Sequence, residues 1–407
     1  MNYISCVLCV FVLCWPSLTH VQAVSKDTQL ALRTPIELPV DLPESNFEQE
    51  IILEGKNGKR IVTTLDARLQ KNLQEFIQKR GEPIASVVVV EVKTGRILAL
   101  VQGRNPKKWG STVHTALYPG FPAASIFKVV PTAAALEVVH IDPTINMSAH
   151  DRCSTVNPHG LWLYDFAPGD SGMSLENAFA HSCNSFFAKL AVQYVGMGLI
   201  EQFADKFGWG HTIPADFYIP LSPIDLPVPE ASNIQTVGRF AAGFGRVGLS
   251  PVHAAWFNLL IANKGRSQPL RIMKDSEAFY SMPQHNEVII DEATSWKMRK
   301  LMHKTVVSGT ARTIFRMKRY RKIASEVGGK TGTLTSHELK AQIRWFVGLT
   351  PYEDPEIIVS SVTVMDGESN LSGAELAAEG FYQYYQSKAE KEKLRLHSLS
   401  SEHTKGL

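Results

Sequence analysis

The clearest hydrophobic pattern is a β-branched run, Ala85-Ser86-Val87-Val88-Val89-Val90-Glu91-Val92. Lys93-Thr94-Gly95 then offers turn residues, and Arg96-Ile97-Leu98-Ala99-Leu100-Val101 returns, which predicts a β-hairpin. Upstream, Arg60 to Leu65 predicts a short strand. Asp66 is placed to cap a helix running toward Arg80, with Leu65, Leu69, Leu73 and Phe76 on one side. A Pro/Gly-rich loop, Tyr118-Pro119-Gly120-Phe121-Pro122, leads into a helix beginning near Ala124. From residue 140 to about 310 strand patterns fade, and the spacing predicts helices over Leu175–Val195, Leu199–Phe207, Pro251–Lys264 and Ala293–Val307. Pro214 to Ser232 is proline-rich and reads as a long ordered loop. Strand character returns over Ser325–Thr335, Ala341–Thr350 and Glu356–Met365, followed by a helix over Gly373–Lys393 and a polar tail, 394–407. Strands at both ends and helices between predict one antiparallel sheet built from both chain ends, with a helical subdomain inserted.

Composition places this pattern in a globular chain: 407 residues, 44% hydrophobic and 20% charged. A net charge of +3 argues against nucleic acid as the main partner and is compatible with an anionic wall or membrane surface. The first 25 residues hold no Lys, Arg, Asp or Glu. Within them Ile4 to Trp15 is apolar, and Pro16 and Val21-Gln22-Ala23 follow. This is the pattern of a signal peptide over residues 1–23, too short to span a bilayer comfortably, although the n-region has only the terminal amine as positive charge. The expected location is periplasmic or otherwise extracytoplasmic, with a cleaved signal favoured over an uncleaved anchor. Cys14 lacks a small residue before it, which disfavours a lipoprotein. Cys6, Cys9 and Cys14 lie in the signal, leaving Cys153 and Cys183. An oxidising compartment allows these two to pair, but the expectation is two separate buried thiols. Nothing resembles a zinc site, and no metal or cofactor is expected.

Three short patterns carry chemistry. Ser125-Ile126-Phe127-Lys128 puts a serine and a lysine on one face of a helix. A serine hydroxyl attacks a carbonyl only when a base takes its proton, and a lysine is that base only when neutral. The flanking Ile126, Phe127, Val129 and Val130 favour a buried Lys128, and a nearby Lys330 would lower its pKa further. Alone, the pattern also describes an ordinary helix start. Ser182-Cys183-Asn184 supplies a hydroxyl and an amide for proton relay and peptide binding; alone, it reads as a helix whose first turn Ser182 caps. Lys-Thr-Gly occurs twice. Lys93-Thr94-Gly95 is explained as a turn, whereas Lys330-Thr331-Gly332 follows Gly328-Gly329, precedes Thr333 and lies in a strand, where it suits an extended peptide and its carboxylate.

With these motifs in this order, the chain resembles the penicillin-binding protein transpeptidase domain, of the serine acyltransferase superfamily shared with serine β-lactamases. Thr64-Leu65-Asp66-Ala67-Arg68-Leu69-Gln70, the hairpin around Lys93, Tyr118-Pro119-Gly120, Gly243-Phe244-Gly245 through Leu249-Ser250-Pro251, Ser308-Gly309-Thr310-Ala311-Arg312 and Trp345-Phe346-Val347-Gly348 extend the likeness. The resemblance implies an α+β fold. It would be an α/β/α sandwich with a five-stranded antiparallel sheet formed from both chain ends, flanked by helices, and an inserted all-helical subdomain. The domain would occupy residues 60–393, after an extension over 24–59. Ser125 would be the acylated nucleophile and Lys128 its base. Ser182 would relay protons with Lys128 and Lys330, and Asn184 would hold the substrate amide. Lys330, Thr331, Gly332 and Thr333 would line the carboxylate site, and the N–H groups of Ser125 and Thr333 would form the oxyanion hole. The implied substrates are D-alanyl-D-alanine stem peptides of peptidoglycan, with β-lactam antibiotics as covalent inhibitors. The extension is too short for a glycosyltransferase region or a large N-terminal pedestal, which leaves open a small, soluble periplasmic enzyme. A D,D-carboxypeptidase uses water as acceptor and remains open. A β-lactamase would need a deacylating base, for which Glu230-Ala231-Ser232-Asn233 departs from the usual spacing by one residue. A slow-deacylating site would instead make a non-catalytic sensor. The cluster Arg312, Arg316, Lys318, Arg319, Arg321 and Lys322 is either a solvated face or a contact for anionic wall polymer.

Overall fold

The computed structural model describes residues 37–39, 42, 50–54, 60–81, 84–104, 114–148, 153, 156, 172–227, 233–274, 286–336, 341–365 and 370–405. The side chains of Arg104 and of residues 394–405 are outside this description. The expected signal, 1–23, and Glu230-Ala231-Ser232 lie outside the described residues.

Five strands form the central sheet: β1 (Ile84–Glu91), β2 (Ile97–Arg104), β3 (Gly328–Ser336), β4 (Ala341–Thr350) and β5 (Ile357–Met365). Their order is β2-β1-β5-β4-β3, and every neighbouring pair is antiparallel. The first two strands and the last three therefore come from opposite ends of the chain, as the resemblance implies. β1 and β5 sit inside the sheet with both faces covered, so burial runs almost unbroken along both, through Ser360, Ser361 and Thr363 of β5 as well as the apolar residues. The hairpin turn is closed at Gly95, at φ 68° with its N–H on Glu91 O at 2.9 Å.

The helices are α1 (Ala67–Arg80), α2 (Val129–Glu137), α3 (Leu175–His181), α4 (Asn184–Leu190), α5 (Met197–Lys206), α6 (Ile234–Arg239), α7 (Pro251–Ala262), α8 (Glu292–Val307), α9 (Arg312–Phe315) and α10 (Gly373–Lys405). Asp66 caps α1 by accepting the Leu69 N–H at 3.0 Å. On one side of the sheet, Leu69, Leu73 and Ile77 of α1 and Leu376, Ala377 and Phe381 of α10 pack against Val87, Val89, Val101 and Val359. A side chain such as Phe381, wholly buried there, contributes roughly 1.5–3 kcal/mol. On the other side Val88, Val90, Trp345, Val347 and Ile358 pack with α7 and the helices inserted between β2 and β3. The result is the expected α/β/α sandwich. Two hydroxyls of β5 fix the start of α10: Ser361 Oγ donates to Gly373 O at 2.7 Å and Thr363 Oγ1 to Leu371 O at 2.9 Å.

Four local expectations change. The predicted helix Leu175–Val195 is broken into α3, α4 and a wider turn over Ala191–Val195, because Ser182 is left-handed at φ 58°. The polar tail continues α10 to Lys405, since polarity leaves the backbone ladder intact and neither Gly nor Pro follows before Gly406. The inserted region holds two-residue strands: Asn146–Met147 pairs with Met173–Ser174, and Gly248–Leu249 pairs with Phe121–Pro122. The extension over 24–59, for which the sequence predicts no strand, contains one: Ile52–Glu54 pairs with Arg60–Val62, and Ile51 and Leu53 are buried.

Candidate active site

Ser125 and Lys128 lie on a short 3₁₀ turn, Ala124–Lys128, which runs directly into α2. The turn is held from both sides. Phe127 packs edge-on against Trp209 and Phe240, and Ile126 meets the backbone of β3 at Gly332. Ala124 is itself left-handed, at φ 49°, a conformation that costs a non-glycine residue about 1–2 kcal/mol. The tight passage of Gly243 beside it helps hold that conformation. A Cβ on Gly243 would stand 2.2 Å from Ala124 O and 3.1 Å from Ser125 N.

Because its neighbours are apolar and packed, Lys128 is wholly buried. Its Nζ lies 2.7 Å from each of Ser125 Oγ, Asn184 Oδ1 and Ala242 O. Burial pushes its ammonium well below the usual lysine range, and the charge of Lys330 pushes it further. No carboxylate is among those three contacts.

The second motif sits at the break between α3 and α4. Ser182 closes α3 in the left-handed conformation and Cys183 opens α4 without a side-chain cap. Ser182 is therefore not the helix cap that its sequence context allows. Its hydroxyl is turned to the sheet, where it accepts from Lys330 Nζ at 3.0 Å. Cys183 is bonded to Cys153, and Asn184 N donates to Cys153 O at 2.7 Å. This corrects the expectation of two separate thiols. Thirty residues separate the cysteines in sequence, so no local signal pairs them.

The third motif lies on β3, an edge strand of the sheet. The pleat sends alternate side chains to opposite faces. Thr331 and Thr333 face the cleft. Lys330 points into the protein beside the Phe179 ring, and burial brings its ammonium down to about 7. Gly332 is on the inner side too. A Cβ there would meet Ile126 Cγ1 at 3.0 Å and Trp345 Cβ at 3.2 Å. It lets β3 lie against the Ser125 turn and does not line the cleft.

Ser125, Ser182, Asn184, Thr331 and Thr333 line one cleft of about 620 Å³. Thr310, Arg344 and Cys153 are among the other residues lining the cleft. Thr310 meets Thr331 hydroxyl to hydroxyl at 2.5 Å, and it is placed there because Gly309 passes against Ala180 O. Arg344, opposite Thr333 in the β3–β4 register, is a cation at the cleft wall. Cys153 lies at its edge. Thr310 falls within Ser308-Gly309-Thr310-Ala311-Arg312, but nothing local marks Arg344. Asn233, the last residue of the Glu230 pattern, caps α6 by accepting the Thr236 N–H at 2.9 Å. No described residue lining the cleft is acidic, and among the described residues no cluster of His, Cys, Asp or Glu is placed to hold a metal.

Chemically, the site offers a serine on a buried lysine depressed toward neutrality, a second serine on a second such lysine, and an open strand edge carrying two threonines. A family model described as the penicillin binding protein transpeptidase domain matches residues 85–386. The chain is 25% identical over 359 residues to the peptidoglycan D,D-transpeptidase PbpA of Mycolicibacterium smegmatis, covering 79% of this chain and 70% of that relative. The transpeptidase domain of penicillin-binding protein 3 from Burkholderia pseudomallei superposes with a TM-score of 0.63 at 20% identity, over 81% of this chain and 96% of that domain. PBPA from Mycobacterium tuberculosis superposes with a TM-score of 0.61 at 21% identity, over 80% and 81%.

Proposed function

The chain belongs to the penicillin-binding protein transpeptidase family, and from that premise we propose that it cross-links peptidoglycan stem peptides through an acyl-enzyme on Ser125. The observation that carries this reading is the set of three contacts around Lys128 Nζ. Two of the partners, Asn184 Oδ1 and Ala242 O, can only accept. A neutral amine has two hydrogens and one lone pair. Its hydrogens go to those two oxygens, and its lone pair is left for the hydroxyl proton of Ser125. A charged ammonium at the same place could not take that proton. The burial that depresses Lys128 thus supplies the base.

The terminal carboxylate of a D-alanyl-D-alanine peptide is held by Thr331 and Thr333, with Lys330 behind them. The peptide lies along the open edge of β3. Ser125 Oγ loses its proton to Lys128 Nζ and attacks the carbonyl of the penultimate D-alanine. The N–H groups of Ser125 and Thr333 receive the oxyanion. Ser182, bonded to Lys330, passes a proton from the Lys330 ammonium to the departing amine, and D-alanine leaves. An amine of a second stem peptide then attacks the acyl carbon and gives a proton back through Ser182 to Lys330, while Ser125 leaves with the proton held on Lys128, forming the cross-link and restoring the site. Penicillins enter the same route and acylate the same oxygen. A β-lactamase needs a base for its deacylating water, and the absence of an acid among the described lining residues disfavours that reading. A carboxypeptidase differs only in letting water replace the acceptor amine. The disulfide supports an exported protein, since such bonds persist in oxidising compartments.

The decisive experiment is incubation with a pentapeptide donor and an amine acceptor, with products read by mass. Cross-linked product is expected. Tetrapeptide alone would mean a carboxypeptidase, and failure of fluorescent penicillin to label the protein, or labelling that survives Ser125→Ala, would overturn the acyl-enzyme assignment.

A further inference from the structure

Beyond the cleft, one surface segment stands out by charge. Between Arg312 and Lys322, six of eleven residues are cationic, and no acidic residue occurs before Glu326. Elsewhere on the surface, cations sit beside carboxylates: Lys304 with Glu176, Lys388 with Glu356, Lys391 with Asp66 and Arg68 with Glu390. Within the segment only Arg319 does so. Its guanidinium donates twice to the buried Glu379 of α10, at 2.7 and 2.6 Å, and stacks on the Tyr382 ring. The Tyr320 hydroxyl donates to the same carboxylate at 3.0 Å, and Phe315 and Tyr320 are buried. Arg319, Phe315 and Tyr320 therefore fasten the segment to the core. Arg312, Arg316, Lys318, Arg321 and Lys322 are exposed, and no ion pair is recorded for them among the described residues. Such a set repels itself, and no carboxylate lies within the segment to offset the repulsion.

The segment begins where the cleft ends. Thr310 and Ile314 line the cleft, and Arg312 lies between them in sequence. The two lysines inside the site are wholly buried, whereas the cations of the segment stand in water at the mouth of the cleft, where an approaching strand meets them first.

We infer that the segment Arg312–Lys322 is a docking surface for the peptide carboxylates of a peptidoglycan strand, holding the polymer beside the cleft while one stem peptide reacts. The inference rests on the transpeptidase reading for the identity of the polymer. The stem peptides that flank the reacting one carry carboxylates at intervals, and a set of exposed cations engages them without selecting one bond. Arg319 is a positioning residue in this scheme, because its charge is spent on Glu379.

The test uses purified peptidoglycan sacculi and the full chain. Wild-type protein should co-sediment with sacculi, and binding should weaken as salt rises. The variant Arg316→Ala/Lys318→Ala/Arg321→Ala/Lys322→Ala should bind about tenfold more weakly or worse, the scale on which charged surfaces change association. Its melting temperature and its rate of penicillin acylation should match wild type. Sacculi whose carboxyls have been converted to amides should fail to bind wild type, and this arm needs no variant. Equal binding by the variant, or equal binding to amidated sacculi, overturns the inference. So does binding to phosphatidylglycerol vesicles in place of sacculi, which would make the surface a membrane contact. Failure of penicillin labelling in wild type would instead remove the transpeptidase reading and leave the sacculus measurement standing.

Discussion

Gly243→Ala should disable the nucleophile without touching it. Gly243 has φ 94°, and a Cβ there would stand 2.2 Å from Ala124 O, 2.6 Å from Ala124 C and 3.1 Å from Ser125 N. Ordinary carbon–oxygen contact needs about 1 Å more than the shortest of these. The obstructing atoms are backbone, so no rotamer change relieves them. The turn carrying Ser125 must move, or the chain at Gly243 must. A misplacement of about 1 Å at a reacting group costs on the order of 100-fold in rate, which is the expected loss in penicillin acylation. Stability should fall too, by about 1–2 kcal/mol for the left-handed backbone and about 1–3 kcal/mol for overpacking. Gly81→Ala is the control. Gly81 is also left-handed, at φ 62°, but a Cβ there meets nothing within 4 Å. It should show the first cost alone and acylate normally. Stopped-flow acylation by a fluorescent penicillin, with melting temperatures for both variants, reads the two effects apart. If Gly243→Ala acylates within a few-fold of wild type and melts no lower than Gly81→Ala, the close passage does not hold the nucleophile and the reasoning is refuted.

Three further predictions follow from the buried polar groups. The Lys330 ammonium is near 7 in the fold against 10.5 outside it, so between these values the unfolded chain holds the extra proton and stability rises with pH. Lys330→Met should flatten that rise in a series of melting temperatures. The same substitution removes a cation that helps depress Lys128, so the acid limb of penicillin acylation should move to higher pH, and a limb that stays put counts against the coupling. Replacing Cys153 and Cys183 by serine, or reducing the bond, should cost about 3–4 kcal/mol for a closed loop of 30 residues and slow acylation through Asn184; an unchanged melting temperature under reductant would show that the bond does not form. Glu379→Ala frees the half-exposed Arg319 to water and leaves the buried Tyr320 hydroxyl without its acceptor, and should cost about 1–3 kcal/mol in chemical denaturation, whereas a near-neutral effect would mean the segment is not anchored there.

Much of the fold was legible because its signals are local. The β1–β2 hairpin rests on β-branched residues around a Lys-Thr-Gly turn, and α1 on an apolar stripe behind Asp66. The strands β4 and β5 end within a residue of the expected positions. The break at Ser182 was not legible. Residues 175–195 carry a helical apolar pattern throughout, and the reversal depends on one left-handed residue held by the disulfide loop and the sheet. The inward turn of Gly332 was hidden too, because the face of a strand that meets the cleft is set by what packs behind it.

The sequence by itself determined which chemical groups are present and in what order: Ser125 with Lys128, Ser182 with Asn184, and Lys330 with Thr331 and Thr333. Local spacing could go no further than placing Ser125 and Lys128 on one turn. The tertiary structure decided what those groups become. Lys128 reaches Asn184 across 56 residues and Ala242 across 114, and Lys330 reaches Ser182 across 148. A lysine's proton affinity depends on how much water and how much charge surround it, and both are fixed by segments distant in the chain. The same letters in Lys93-Thr94-Gly95 remain a turn: residues 268–271 pack on its backbone, but the Lys93 side chain stays exposed to water.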